Sequence, residues 1–243
     1  AYTVGVTGAP GAGKSTLVGA LLEEALARHQ RTAVLALDPV SPLSEGAILG
    51  DRMRMEAVAG DERLFVRSLG ARRARGGLSL VAPFAIRAID AAGWPIILIE
   101  TVGVGQNEID VVDAACTTVV VLTPGMGDEV QAIKAGLMEV ADVFVINKAD
   151  REGADQVRRD VERIVPASAD GWRAPVLATV ALERRGVPEL WQAVEAHRGH
   201  LERTGQIAAR RQRLPGLALR ALVEDELRGR LAEVAAGSGW SRT

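Results

Sequence analysis

Along the 243 residues, short runs that are apolar throughout alternate with longer stretches in which apolar side chains return every three or four positions. The short runs, Thr3 to Thr7, Ala33 to Asp38, Ile96 to Glu100, Thr118 to Thr123, Val143 to Asn147 and Val176 to Thr179, predict β-strands. The periodic stretches, among them Ser15 to His29, Ser79 to Ala92 and Asp128 to Val140, predict helices. A strand without a polar face must be buried on both sides, and alternation with helices supplies the cover. The pattern therefore predicts an α/β fold over residues 1–198, a doubly wound, mainly parallel sheet with helices on both faces.

The pattern changes over 199–243. Gln206 to Arg213 is polar and basic, Pro215 and Gly216 punctuate, and Leu219, Leu222, Val223, Leu227, Leu231 and Val234 then recur at spacings of three and four, an amphipathic helix. Two readings stay open. The helix packs back on its own domain, or it is an arm that buries its stripe against a second subunit and makes a homodimer.

Composition narrows the class. With 48% hydrophobic residues the chain can build a large core, and a net charge of -2 argues against a nucleic-acid partner held by an overall field. The apolar runs are strand-sized, so no membrane span is expected. Cys116 is the single cysteine; it can form neither an internal disulfide nor a thiolate metal cluster, which favours a reducing, cytoplasmic setting. His197 and His200, three apart, read as a solvated helix pair. The start lacks both Met and a signal-type stretch, so a further upstream segment is expected. Only three of the 29 basic residues are lysines, Lys14, Lys134 and Lys148. Against so strong an arginine bias, a lysine marks a position that wants a compact ammonium or an aliphatic stem.

Directly after the first strand stands Gly8-Ala9-Pro10-Gly11-Ala12-Gly13-Lys14-Ser15-Thr16, which fits GxxxxGK[ST] between a strand and a helix. Glycines let successive amide N–H groups face an anion, and the helix adds its positive end. Lys14 is expected to reach the β and γ phosphates and Ser15 to hold Mg²⁺. Carboxylates that could complete the metal site are Glu100, at the end of the third major strand, Asp38 at the end of the second, and Asp51 in a later turn. Gly103 is expected to offer its N–H to the γ-phosphate, and Gln106 is the candidate for orienting the attacking water.

The base is read from Asn147-Lys148-Ala149-Asp150 at a later strand end. A carboxylate there accepts from both N1–H and the 2-amino group of guanine, a fork that adenine cannot supply. Lys148 can lay its stem on the ring plane and Asn147 can tie this loop to the phosphate loop. Thr179-Val180-Ala181 would complete the base contacts through backbone N–H groups. GTP is thus the expected substrate and GDP the product.

With these residues in place the chain resembles the MeaB/ArgK-like GTPases, chaperones associated with methylmalonyl-CoA mutase and its relatives. The likeness rests on VTGAPGAGKST (6–16), AVLALDPVSP (33–42), AILGDRMRM (47–55), ETVGVGQNE (100–108), PGMGDEVQAIKAG (124–136) and VINKAD (145–150), in that order. It implies a P-loop fold and a Mg²⁺-dependent GTPase that gates cofactor loading into a cobalamin-dependent acyl-CoA mutase and protects it, with an adenosyltransferase as a further partner. It also implies that Asp128, Gln131 and Lys134 form a switch coupling nucleotide to mutase, with Lys134 joining Lys14 and Gln106 in catalysis. From spacing alone Gln131 and Lys134 are solvated helix positions. The chain departs from the family in lacking a helical N-terminal extension, in reading Asp38-Pro39-Val40-Ser41 where DPSS is usual, and in carrying Arg72, Arg73 and Arg75 in a loop typically rich in Ser and Gly. Competing readings are a GTPase metallochaperone for another metalloenzyme, a P-loop kinase, and a switch that does not hydrolyse.

Overall fold

The computed structural model describes residues 1–28, 30–39, 61–71, 82–101, 114–125, 140–165 and 171–237. The strands are β1 (Tyr2–Gly8), β2 (Thr32–Pro39), β3 (Leu64–Ala71), β4 (Ile96–Thr101), β5 (Thr117–Leu122), β6 (Val143–Asn147) and β7 (Val176–Thr179). They form one sheet in the order β3-β2-β4-β1-β5-β6-β7, every neighbouring pair parallel. The helices are α1 (Lys14–Ala27), α2 (Ala82–Ala91), α3 (Ala154–Ile164), α4 (Val187–Arg203), α5 (Gln206–Arg211) and α6 (Arg213–Gly237). None of the helices described is long and apolar enough to cross a membrane.

The period of two in a strand sorts the core into two layers. Val34, Leu98, Val119, Val121, Val143 and Val145 face α1 and α4, where Leu17, Leu21, Leu22, Leu190 and Trp191 are buried. Their neighbours Leu35, Ile97 and Ile99 face α2, and Val120, Leu122, Phe144 and Ile146 face α3. Each fully buried aliphatic side chain contributes about 1.5–3 kcal/mol, so both apolar faces of the central strands are used.

β3 has no counterpart among the sequence-based strands, and it makes the strand that carries Glu100 as its next-to-last residue the fourth in chain order, not the third. It is an edge strand whose Phe65 and Arg67 are exposed, so its residues alternate where the inner strands are apolar throughout. The expected helix over 128–140 lies outside the described residues except for Val140, which is helical. The expected boundary at 198/199 falls inside α4, which runs unbroken to Arg203, because Leu201 is still buried against the core. The basic stretch after it is helical, as α5.

The two histidines are not a solvated pair. His197 is fully buried, its Nδ1 2.8 Å from Thr117 Oγ1 and its Nε2 3.2 Å from Asp142, and Trp172 packs against both imidazoles. Asp142 is the centre of this knot at the amino ends of β5 and β6. Arg210 of α5 donates to both of its carboxylate oxygens, at 2.7 and 2.9 Å, and also to Cys116 O at 2.7 Å, while the Thr118 N–H donates to Asp142 Oδ2. Burial works against the Arg210 charge, yet the bonds and charge of Asp142 outweigh it and hold the guanidinium above its ordinary pKa. Burial likewise pushes up the phenol of Tyr2, which hydrogen-bonds Thr117.

α6 begins by packing on α2. Leu214 and Leu217 join the α2 layer and Ala218 is buried. Beyond that point Leu219, Leu222, Val223, Leu227, Leu231 and Val234 are 49–69% exposed, so the stripe finds no cover within the chain as described.

Replacing Asp142 by Ala removes the acceptor of Arg210 and of the Thr118 N–H, and is expected to lower stability by about 3–5 kcal/mol. Urea denaturation reads this as a lower midpoint at unchanged slope. An unchanged midpoint would show that the knot contributes nothing net.

Candidate functional site

Doubly wound sheets open a crevice at the carboxyl edge where neighbouring strands lead their connections to opposite faces. Here β1 lies between β4 and β5, and the predicted phosphate loop leaves β1 at that edge. Gly8 ends the strand at φ 140°, and a Cβ there would fall on the carbonyl oxygen of Val121, closer than the 3.0 Å that real Cβ atoms respect. Gly13, at φ 87°, directly precedes α1. A Cβ on Gly13 would lie 2.5 Å from Asn147 Nδ2. Glycine at these positions thus lets the phosphate loop pass beneath both β5 and the base loop.

The loop closes round Lys14. Its ammonium, on a residue 7% exposed, donates to Gly8 O at 2.6 Å and Ala9 O at 2.9 Å, placing a buried positive charge inside the curl. Pro10 and Gly11 are exposed at its rim while Ala12 is buried beneath. No side chain caps the start of α1, so the N–H groups of its first turn remain directed at the loop. Ser15 and Thr16 occupy that turn, and the Ser15 hydroxyl donates to Glu100 Oε1.

Glu100 is 5% exposed, a buried carboxylate facing the positive end of a helix. A hydroxyl and a carboxylate oxygen meeting at this point form the hard oxygen donor set that Mg²⁺ accepts while keeping several of its waters. The residues present therefore fit a Mg²⁺ ion. Asp38 is next to last in β2, opposite Gly70 of β3, at the same carboxyl edge; its side chain lies outside the described residues. So do Asp51, Gly103, Gln106, Asp128, Gln131 and Lys134.

The loop after β6 is tied to the phosphate loop by side chains. Asn147, at the end of β6, donates from Nδ2 to Ala12 O at 2.9 Å. Its Oδ1 accepts from Thr179 Oγ1 and from the Ala181 N–H, both at 3.2 Å. Lys148 crosses to Gly11 O at 2.7 Å from a left-handed backbone, φ 56°, a conformation costly for a side-chain-bearing residue and one that concentrates at functional sites. Asp150 is exposed in the following turn. The N–H groups expected to meet the base are engaged within the chain: Val180 N–H bonds Arg185 O at 3.0 Å and Ala181 N–H bonds Asn147. A contact from Ala181 to a base oxygen must therefore share or exchange the Asn147 bond.

A family model described as methylmalonyl Co-A mutase-associated GTPase MeaB matches residues 1–236. The chain belongs to the MeaB family. It is 46% identical to a GTPase of Pyrococcus abyssi over 242 residues, 98% of this chain and 72% of the relative. To the GTPase ArgK of Escherichia coli it is 37% identical, over 92% of this chain and 70% of the relative. Among solved structures it is similar to a LAO/AO transport system kinase at 30% identity and a TM-score of 0.72, covering 97% of this chain and 70% of that one. This MeaB-family chain is accordingly a P-loop GTPase, in which loop, hydroxyl, carboxylate and base loop converge on one edge of the sheet.

Sequence reasoning passed over two groups at this edge, Thr101 beyond Glu100 and Thr7 before Gly8, both buried. Their only signal was a hydroxyl at the end of an otherwise apolar strand. Gly13→Ala is expected to cost about 1–2 kcal/mol from its left-handed backbone alone. By displacing Asn147 it should also weaken GDP binding. Thermal unfolding and a titration with fluorescent GDP measure the two effects, and wild-type values in both would overturn this account of the loop.

Proposed function

We propose that this GTPase is a Mg²⁺-dependent chaperone that gates cofactor loading into a cobalamin-dependent acyl-CoA mutase, methylmalonyl-CoA mutase or a relative, and protects that enzyme. The observation that carries the mutase link is the match of a mutase-associated family over residues 1–236. For the chemistry, support comes from the meeting of Ser15 and Glu100 beside the Lys14 loop.

In this reading the backbone of the loop from Gly8 to Thr16, through the N–H groups of its residues other than Pro10, and the Lys14 ammonium hold the β and γ phosphates, and Ser15, Glu100, Asp38 and Asp51 would hold Mg²⁺ directly or through water. When bound, the ion neutralises charge on the phosphates. Asp150 receives the guanine edge, Lys148 its face, and Asn147 with Thr179, Val180 and Ala181 fixes the base loop. Water oriented by Gln106 attacks the γ-phosphorus in line, the bond to the β-phosphate oxygen breaks, and GDP and phosphate leave; Gly103 supports the γ-phosphate through its N–H. Asp128, Gln131 and Lys134 form the switch through which mutase senses nucleotide and stimulates turnover, and an adenosyltransferase supplies the cofactor. The setting is cytoplasmic. A metal-inserting GTPase is less well supported, because His197 and His200, the paired imidazoles, are engaged with Thr117, Asp142 and Trp172.

The chain divides into a GTPase domain, read as 1–198 and completed by the end of α4, and a helical segment beyond it. The exposed stripe of α6 is the surface on which two copies join, since an apolar stripe of this length stays covered in a stable protein.

Phosphate release from GTP and from ATP, each with and without a cobalamin-dependent mutase, tests the activity. GTP should be preferred by at least about 10²-fold, and mutase should stimulate it. Asp150→Ala should erase the preference and Lys134→Ala the stimulation. Equal use of ATP would sink the base assignment, and indifference to mutase the client. Leu227→Glu with Leu231→Glu should convert a dimer to a monomer in sedimentation; a wild-type chain that sediments as a monomer at micromolar concentration would refute the arm.

A further inference from the structure

β1 and β4 pair in register from Tyr2 opposite Ile96 to Val6 opposite Glu100, and there their ladder ends. β1 continues with its other neighbour, Thr7 opposite Val120 and Gly8 opposite Val121, while Thr101 of β4 stays paired with Leu37 of β2. At the carboxyl edge, then, β1 goes with β5 and β4 goes with β2, and the sheet parts between them. On one side of this parting begins the phosphate loop; on the other is Glu100.

Two buried hydroxyls span the parting. Thr101 Oγ1 lies 3.3 Å from Val6 O and 3.2 Å from Thr7 Oγ1, on residues 2% and 0% exposed. Thr101 is the donor to both, so its one hydroxyl proton is shared between the Val6 carbonyl and the Thr7 hydroxyl. Glu100 and Thr101, being successive in a strand, point to opposite faces. The end of β4 is thus fastened to the phosphate-loop side twice, through Glu100 to Ser15 on α1 and through Thr101 to β1. The two ties constrain one another, because a shift of β4 along or away from β1 that lengthens the Thr101 bridge also moves the Glu100 carboxylate against Ser15.

We propose that Thr101 is a positioning residue of the GTPase reaction, its hydroxyl bridge to Val6 and Thr7 setting how far the Glu100 carboxylate stands from the phosphate loop. The inference rests on the reading that Ser15 and Glu100 hold Mg²⁺. Its consequence is specific. The bridge governs the gain in nucleotide affinity that Mg²⁺ brings, whereas binding without the metal, which depends on the loop amides, Lys14 and the base loop, does not need it.

The test uses the full chain as wild type, Thr101→Val, Thr101→Ser, Thr7→Val and the Thr7→Val/Thr101→Val double variant. Affinity for a fluorescent GDP analogue is measured in EDTA and in Mg²⁺, with kcat for GTP alongside. Residues that orient metal ligands are commonly worth 10–100-fold, so Thr101→Val should reduce the Mg²⁺ gain by about tenfold, lower kcat, and leave affinity in EDTA within about twofold of wild type. Thr101→Ser, which keeps the hydroxyl, should restore the gain. Thr7→Val should act in the same direction, and the double variant should lose little more than either single one, as expected for two ends of one interaction. The proposal is overturned if Thr101→Val keeps the wild-type gain, or if its affinity falls equally in EDTA and Mg²⁺. Should Thr101→Val fail to fold, Thr7→Val decides: a wild-type gain there overturns the bridge. A wild-type chain whose GDP affinity ignores Mg²⁺ removes the metal reading and this inference together, whereas a responsive wild type with a Thr101→Val variant that gains as much from Mg²⁺ removes this inference alone.

Discussion

The rest of the structure is arranged around the parting of β1 from β4 at the carboxyl edge of the sheet. Parallel strands buried on both faces have no solvent to satisfy a broken ladder, so a gap between them must be filled by groups that hydrogen-bond across it. In this chain the gap is bounded by the Gly8 loop, the Ser15 hydroxyl and the Glu100 carboxylate, with the two threonines beneath. The contacts that close the fold at this point are also those that can meet a phosphate and a divalent cation. A side chain on Gly8 would strike the β5 backbone, which is why the loop can leave the strand only at that residue.

The opposite edge of the sheet holds the other polar concentration. Asp142 gathers Arg210, His197 and the Thr118 N–H, and through them fastens α4 and α5 to the amino ends of β5 and β6. Among the described residues this knot touches none of those assigned to nucleotide. It fixes where α5 ends and therefore where α6 starts its course over α2, so the direction of the exposed stripe is set at the base of the sheet. The phosphate loop and the start of α6 thus lie at opposite ends of the same strands, and each rests on a buried layer.

A MeaB-family GTPase with this arrangement uses little covalent chemistry of its own. Positioning is the main task, and it is shared between fixed elements and connecting segments. The fixed part comprises Lys14 held by Gly8 and Ala9, Glu100 against Ser15, and Asn147 bridging Ala12 to Thr179 and Ala181. Apart from the Lys14 contacts within the loop itself, these join segments 32 or more residues apart in the chain, so the nucleotide site is a property of the assembled sheet.

The strand-helix alternation, the phosphate loop and the guanine loop were legible in the chain, because each is written in local periodicity or in a contiguous motif whose chemistry needs those residue types. Val143 to Asn147 and Val176 to Thr179 coincide with β6 and β7 for that reason. What depends on partners distant in the chain emerged from the folded arrangement alone. β3 is a strand because β2 offers it an edge, although its own residues alternate with exposed Phe65 and Arg67. His197 is a buried knot residue because Trp172, Thr117 and Asp142 close over it, whereas the spacing of two histidines reads the same on a wet helix. The amphipathic stripe was legible, but that it stays uncovered within the chain emerged only from the path of α6. The Thr101 bridge was illegible for the same reason: a hydroxyl at a strand end has no local signature, and its partners stand 94 and 95 residues away.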